Sequence, residues 1–427
     1  MFNMMKSVSA PLLSLLLVMF GNTYFMSFLA IKMKMDGHDA QAVGNLSSAY
    51  FLGFVIGAFI IEKLIERIGH IRSFTLFAAL TSALAIAMGL YVSPWFWMLL
   101  RLVNGICVAG IYVVVESWLV TLAGKEQRGR ALALYMLGLY LAQTLSQQIL
   151  EYFDPTTLTP FCAMAFLCSI SVIPVCMKKV DCPRELGSSY LNIGKTYKAS
   201  PLGFITCFVS GIVLGQIYGL MPFYFSNLGF SVNHVGEIMS AVFFGALTLQ
   251  WPFGWISDIV DRRKVLIGLV IGSFIISLTC LIFSQGLSYL SFLGLSYLFG
   301  GLLFSLFPLG MSQVCDNLEQ KDIVGAMSVL CLVYGTGSFI GPTTSSIVMV
   351  YYPNYGFFLF TTIVLAALGI YAISRLILKD SVPLEDQNQS IVVPSTSVHV
   401  SDLTSVLGED YWGSGDSDQD SEKGPEQ

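Results

Sequence analysis

Val43-Gly-Asn-Leu-Ser-Ser-Ala-Tyr-Phe-Leu-Gly53 returns 192 residues later as Val235-Gly-Glu-Ile-Met-Ser-Ala-Val-Phe-Phe-Gly245. Six of the eleven positions are identical: Val, Gly, Ser, Ala, Phe and Gly. Each copy runs on into an apolar stretch and ends in a charged turn. The first turn is Glu66-Arg67-Ile68-Gly69-His70-Ile71-Arg72 and the second is Asp258-Ile259-Val260-Asp261-Arg262-Arg263-Lys264. Solenoid units recur every ~20–50 residues, so a repeat at this distance has another origin. It fits a duplicated set of about six membrane helices.

Composition agrees with that reading. Of 427 residues 55% are hydrophobic and only 11% charged, where an ordinary soluble domain carries about 25% charged. Too little polar surface remains to cover a water-soluble particle of this size. The net charge of −5 is set by the end of the chain, because the segment from Lys379 onward holds eleven acids and two bases. Without it, 20 basic residues face 16 acidic ones. The nine cysteines fall almost entirely in apolar runs without a C-x-x-C pair, so they read as small core residues.

The apolar start, Met1–Phe20, imitates a signal peptide but continues through Ile31, so it reads as a retained first span. A bilayer needs about 20 residues per helix. Twelve runs meet that length: 8–31, 42–61, 72–92, 95–122, 129–151, 158–177, 201–226, 234–256, 265–284, 287–314, 323–350 and 356–377. With the N-terminus inside, cytoplasmic segments hold 18 of the 22 Lys and Arg, which puts both termini in the cytoplasm. The expected fold is an all-α polytopic membrane protein with two pseudo-symmetric six-helix halves, 1–177 and 201–379. A cytoplasmic linker, 178–200, joins them, and 380–427 is an acidic tail too poor in apolar residues to fold.

The charged turns, placed between spans two and three and again between eight and nine, resemble the signature loop of the major facilitator superfamily. The first copy has Glu66-Arg67-x-Gly69 but Glu62 in place of a preceding Gly. The second keeps Gly254, Asp258, Arg262 and Arg263 but has Ile259 for Arg and Asp261 for Gly. Arg101-x-x-Asn-Gly105 is similar to the family's second motif, and Glu126-x-Arg128-Gly-Arg130 to the loop after it. Tyr112-Val-Val-Val-Glu-Ser-Trp118 and Ser210-Gly-Ile-Val-Leu-Gly-Gln-Ile-Tyr-Gly-Leu-Met-Pro222 resemble the YcaD-like bacterial branch. The resemblance implies a secondary transporter in the bacterial inner (plasma) membrane, working as a monomer by alternating access. It also implies a small-molecule substrate, proton coupling and a Glu116–Arg67 pair. It makes Glu66, Arg67, Gly69, Glu116, Arg128, Arg130, Gly254, Asp258 and Arg262 gating or charge-relay residues. No cofactor, metal or nucleic-acid partner is expected.

Physical chemistry gives the turns a task independent of any name. Helix N-termini present unpaired N–H groups and partial positive charge, which a carboxylate can cap. Glu66 is expected to face the start of span eleven near Gly325, and Asp258 the start of span five near Arg130. Arg101 is the one base well inside a span. It costs about 2.5–3.5 kcal/mol on insertion scales, so it either faces the interior or snorkels outward. It lies about 22 Å along the helix from Glu116 and cannot pair with it. Glu237, early in span eight, is either a proton site or a wetted acid. Asn22, Tyr24, Tyr140, Gln143, Gln147, Gln216, Tyr218, Gln250, Tyr334 and Ser338 each suit ligand contact or interhelical bonding. Gly211, Gly215 and Gly219, spaced by four, suit close helix packing, as do Gly337 and Gly341.

Two rivals remain open. A membrane-integral enzyme needs clustered ligands or nucleophiles, and His38, His70, His234 and His399 are scattered. A transporter-derived sensor would signal through the acidic tail. The chain has no G-x-x-x-x-G-K loop to cradle ATP.

Overall fold

The structure is a computed structural model that describes residues 2–123, 128–177, 192–284 and 286–378. Every regular element in it is helical. The α-helices are α1 (Phe2–Met35), α2 (Ala40–Ile68), α3 (His70–Leu90), α4 (Pro94–Ala123), α5 (Arg128–Ser146), α6 (Thr159–Met177) and α7 (Ile193–Ala199). They continue as α8 (Pro201–Asn227), α9 (Val232–Ile259), α10 (Arg262–Phe283), α11 (Tyr289–Cys315), α12 (Gln320–Tyr351) and α13 (Gly356–Leu378). Lipid offers the backbone no hydrogen bonds, so an apolar run in it must close its own ladder as a helix. The acidic tail, Glu126, and all of the expected linker before residue 192 lie outside the described residues.

Among the described residues eleven helices are long and apolar enough to cross a membrane, against the twelve expected. The difference is α5, whose fully described part, Ala131–Ser146, is too short to be counted as a crossing. It packs on α1, α4 and α9, so protein rather than lipid surrounds much of it. The expected span 129–151 also divides. The α-helix stops at Ser146 and a 3-10 turn covers Gln147–Tyr152. Ser146 Oγ donates to the Gln143 carbonyl at 2.8 Å, the local back-bonding that competes with a helix ladder.

The repeat in sequence is a repeat in geometry. Gly37 and Gly229 close the α1–α2 and α8–α9 turns with φ of 81° and 89°, a region that favours glycine. Asp39 then caps α2 by accepting from Ala42 N, and Ser231 caps α9 by accepting from His234 N. Helix α2 lies along α4 as α9 lies along α11, and α6 packs on α1 and α3 as α13 packs on α8 and α10. The glycine that ends each copy explains part of this. A Cβ on Gly53 would strike the Leu102 carbonyl of α4, and one on Gly245 the Tyr297 carbonyl of α11.

Contacts between helices up to residue 177 and helices from residue 201 onward join α1 and α2 to α8, α2 to α12, and α5 with its 3-10 end to α9. The small-residue spacing on α8 serves its packing on α12. Gly211 and Gly215 meet the carbonyls of Tyr334 and Ser338, while Gly337 and Gly341 meet those of Phe208 and Ile212.

Candidate functional site: a central cavity between paired helices

A cavity partly open to the exterior lies where these helices meet. Helix α1 contributes Met19, Asn22, Thr23 and Met26, and α2 contributes Tyr50, Phe51 and Phe54. Tyr112 of α4, Gln143 of α5, Tyr218 of α8 and Tyr334, Gly335 and Ser338 of α12 complete the wall. The wall is mainly aromatic and uncharged. Tyr218 donates to Gln143 Oε1 at 3.2 Å, tying α8 to α5 across the cavity. Asn22 Nδ2 donates to the Tyr50 hydroxyl at 3.1 Å.

Five of the polar candidates expected from sequence thus meet here: Asn22, Gln143, Tyr218, Tyr334 and Ser338. The others serve elsewhere. Gln216 donates to the Phe357 carbonyl at 3.1 Å and to Thr361 at 2.6 Å, so it binds α8 to α13. Tyr24 packs between Phe28 and Phe153, and the ring of Tyr140 packs on Phe304. Gln147 is buried in the 3-10 turn, and Gln250 and Glu237 are partly exposed on α9 outside the wall. Sequence reading missed Tyr50. Its signal is a departure from the repeat, since the second copy has Val242 at that position.

Arg101 is 2% exposed, so it does not snorkel. Its guanidinium lies 4.3 Å from the centre of the Tyr50 ring, and its Nη1 donates to Asn104 Oδ1 at 2.8 Å. Stacking on an aromatic face suits the planar fork. Glu116, further along α4, is 1% exposed and accepts a hydrogen bond from Tyr135 of α5 at 2.5 Å.

On the Gly37 side of the cavity the two copies of the repeat make the same bonds. Ser48 of α2 donates to the Phe339 carbonyl of α12 at 2.6 Å and accepts from Thr343 at 2.8 Å. Ser240 of α9 donates to the Thr144 carbonyl of α5 at 2.8 Å and accepts from Gln148 at 2.8 Å. The partner positions are themselves related, since 339 and 343 exceed 144 and 148 by the same 195. A Cβ on Gly44 would stand 2.6 Å from the Pro342 carbonyl, and one on Gly236 2.7 Å from that of Gln147. At the same end Lys34 of α1 donates to Asn227 of α8 at 2.6 Å. The identical Gly and Ser of the repeat are therefore two matched latches.

The opposite, Gly69, end is arranged differently. Glu66 and Arg67 are exposed, and among the described residues neither makes a hydrogen bond or ion pair. The expected Glu116–Arg67 pair is therefore not formed, because Arg67 faces outward while Glu116 is buried against Tyr135. Gly69 has a φ of 82° and carries the break between α2 and α3. In the second copy Asp258, whose side chain is 32% exposed, pairs with Arg262 at 3.3 Å. Arg262 also donates to Asp316, just beyond α11, at 2.6 Å. Asp316 escaped sequence reading because it sits in an ordinary-looking loop. Gly254 is half-buried one turn before Asp258. His70 holds the position equivalent to Arg262 and contacts Ser117 at 2.9 Å, its ring against Trp118. Arg128 and Arg130 begin α5, and their side chains lie outside the described residues.

A bundle of apolar helices around an uncharged central cavity, duplicated in sequence and in contacts, is the frame of a membrane transporter. Residues 12–190 and 200–408 match the pattern of the Major Facilitator Superfamily, and the chain belongs to that family. It is a multi-pass membrane protein of the YcaD-like branch. It is 31% identical over 317 residues to the uncharacterised MFS-type transporter YcaD of Escherichia fergusonii, covering 73% of this chain and 81% of that protein. The uncharacterised MFS-type transporter Ent638_1421 of Enterobacter sp. (strain 638) is 30% identical over the same shares. Among solved structures, the nucleoside transporter NupG superposes with a TM-score of 0.73 at 13% identity, covering 88% of this chain and 100% of that one. A bacterial homologue of the human lysosomal transporter Spinster, inward-facing and occupied, gives 0.72 at 13%, covering 89% and 97%.

Proposed function

We propose that this protein is a proton-coupled secondary transporter that moves a small solute by alternating access through the central cavity. Its two six-helix halves, 1–177 and 201–379, make twelve spans when α5 is counted. The protein works as a monomer in the bacterial plasma membrane with both termini in the cytoplasm. The observation that carries the reading is the pair of matched latches: one end of the cavity is held by equivalent bonds on both sides. At the other end Glu66 and Arg67 stand exposed. That asymmetry fits a state open toward the Gly69 end. Glu66, Arg67, Gly69, Gly254, Asp258 and Arg262, with Arg128 and Arg130, then act when that end closes and α5 and α12 return to the turns. An acid placed against a helix start favours the closed state there.

Glu116 is the proton carrier in this reading. Among the described residues it is the acid buried within an apolar helix, and it sits beside the wall residue Tyr112, one helical turn away. Purified protein in liposomes under an imposed pH gradient tests the function. Solutes from a cell extract that accumulate are identified by mass spectrometry, with Gly335→Trp, which fills the cavity, as the blocked control. At least one solute should accumulate with the native protein and not with the control. Glu116→Gln should lose gradient-driven accumulation yet retain exchange of preloaded solute. Equal accumulation by native and blocked protein contradicts the transport site, and full gradient-driven uptake by Glu116→Gln contradicts the proton role.

A further inference from the structure

The cavity wall carries no charged residue, yet a fixed cation stands directly behind it. Arg101 is held by the Tyr50 ring and the Asn104 carboxamide, neither of which brings a compensating charge. Among the described residues no carboxylate pairs with it. Bases at membrane depth are expensive and mark the path of a ligand or ion. Here the field reaches the cavity through Tyr50. A cation on the ring face draws electron density from the phenol and strengthens its O–H as a donor. The oxygen already accepts from Asn22, so that proton is available to a ligand.

Asn22 adds the second half of the signal. It is 5% exposed, it lines the cavity, and its Oδ1 accepts no hydrogen bond. An acceptor buried without a donor is costly, so a ligand N–H or O–H fits beside it. One corner of the cavity thus offers a strengthened donor beside an empty acceptor. The rest of the wall is aromatic: Phe51, Phe54, Tyr112, Tyr218 and Tyr334. Glu116 lies about 22 Å from Arg101 along α4, so it does not neutralise the guanidinium directly.

We infer that the solute is a small aromatic acid, bound as its anion, with a hydroxyl or N–H beside the carboxylate. The carboxylate accepts from Tyr50, the neighbouring donor satisfies Asn22 Oδ1, and the ring lies among the wall aromatics. This deepens the transport reading and rests on the cavity being its site.

Four probes of one shape test it on the purified full-length protein in lipid nanodiscs, by calorimetric titration at pH 7. They are mandelate, its neutral amide, phenylacetate without the hydroxyl, and the cationic 2-hydroxy-2-phenylethylammonium. Mandelate is expected to bind at least about tenfold more tightly than the amide or the cation, the step of one charge-assisted bond. Phenylacetate should fall between. Tyr50→Phe should bring mandelate down to the amide, and Asn22→Ala should erase the advantage of mandelate over phenylacetate, with both variants monodisperse. The proposal is overturned if the amide or the cation matches mandelate, if the variants keep the native ranking, or if mandelate does not bind at millimolar concentration. A reversed ranking that Gly335→Trp still blocks overturns the solute class and leaves the cavity as the transport site. Binding of all four that ignores Gly335→Trp counts against the cavity as well, with Gly335→Ser as the folding control.

Discussion

Arg101 shows how far a single residue can be read before its neighbours are known. Sequence gave two destinations for a base inside a span, the interior or the nearby surface, and the cost of burial favours neither decisively. The structure resolves it through Tyr50 and Asn104, contacts from another helix and from the next turn. Its role can be tested by chemistry that only the guanidinium offers. Lysine keeps the charge but cannot stack a planar face while donating sideways to Asn104. Arg101→Lys should therefore insert normally and lose roughly tenfold or more of uptake at matched expression. Near-normal uptake would remove the fork from the mechanism. Gln216 teaches the converse. It shares its polarity and its helix with Tyr218, yet one side chain reaches α13 and the other reaches Gln143. Residue type does not report which face of an all-apolar helix it occupies, because such a helix has no polar stripe to orient it.

At the scale of helices, the repeat was the informative signal, and it carried more than a fold. Gly44, Ser48 and Gly53 recur at 236, 240 and 245 because each pair makes the same contact on equivalent helices. What the repeat could not disclose was partners outside itself. Asp316 reaches Arg262 across 54 residues, a pairing without local periodicity. The 3-10 end of the fifth run was hidden as well, since hydropathy does not distinguish helix types. The latches make a prediction at this scale. Interhelical hydrogen bonds in membranes are each worth about 0.6 kcal/mol, so removing four shifts the balance by several-fold to tens-fold. In the Ser48→Ala, Ser240→Ala double variant, a cysteine placed at Phe54 should react several-fold faster with a charged thiol reagent added from the Gly37 side. An unchanged rate would make the latches passive packing.

For the whole molecule, orientation and cycle are the two claims. The excess of Lys and Arg beside the Gly69 end is the ground for the proposal that this end faces the cytoplasm. A reporter fused after Lys198 should read cytoplasmic, and one after Gly37 external; the reverse would invert every inference about direction. The central claim is that the latched end must open for solute to pass. Asn45 accepts from Thr343 across the α2–α12 contact at 3.4 Å, so cysteines at these two positions face each other across it. The decisive measurement is uptake by an Asn45→Cys, Thr343→Cys protein in liposomes, before oxidation, after it, and after reduction. Uptake should fall to background once the bridge is complete and recover on reduction, while either single cysteine leaves it unaffected. Undiminished uptake through a fully bridged protein would contradict alternating access through this cavity.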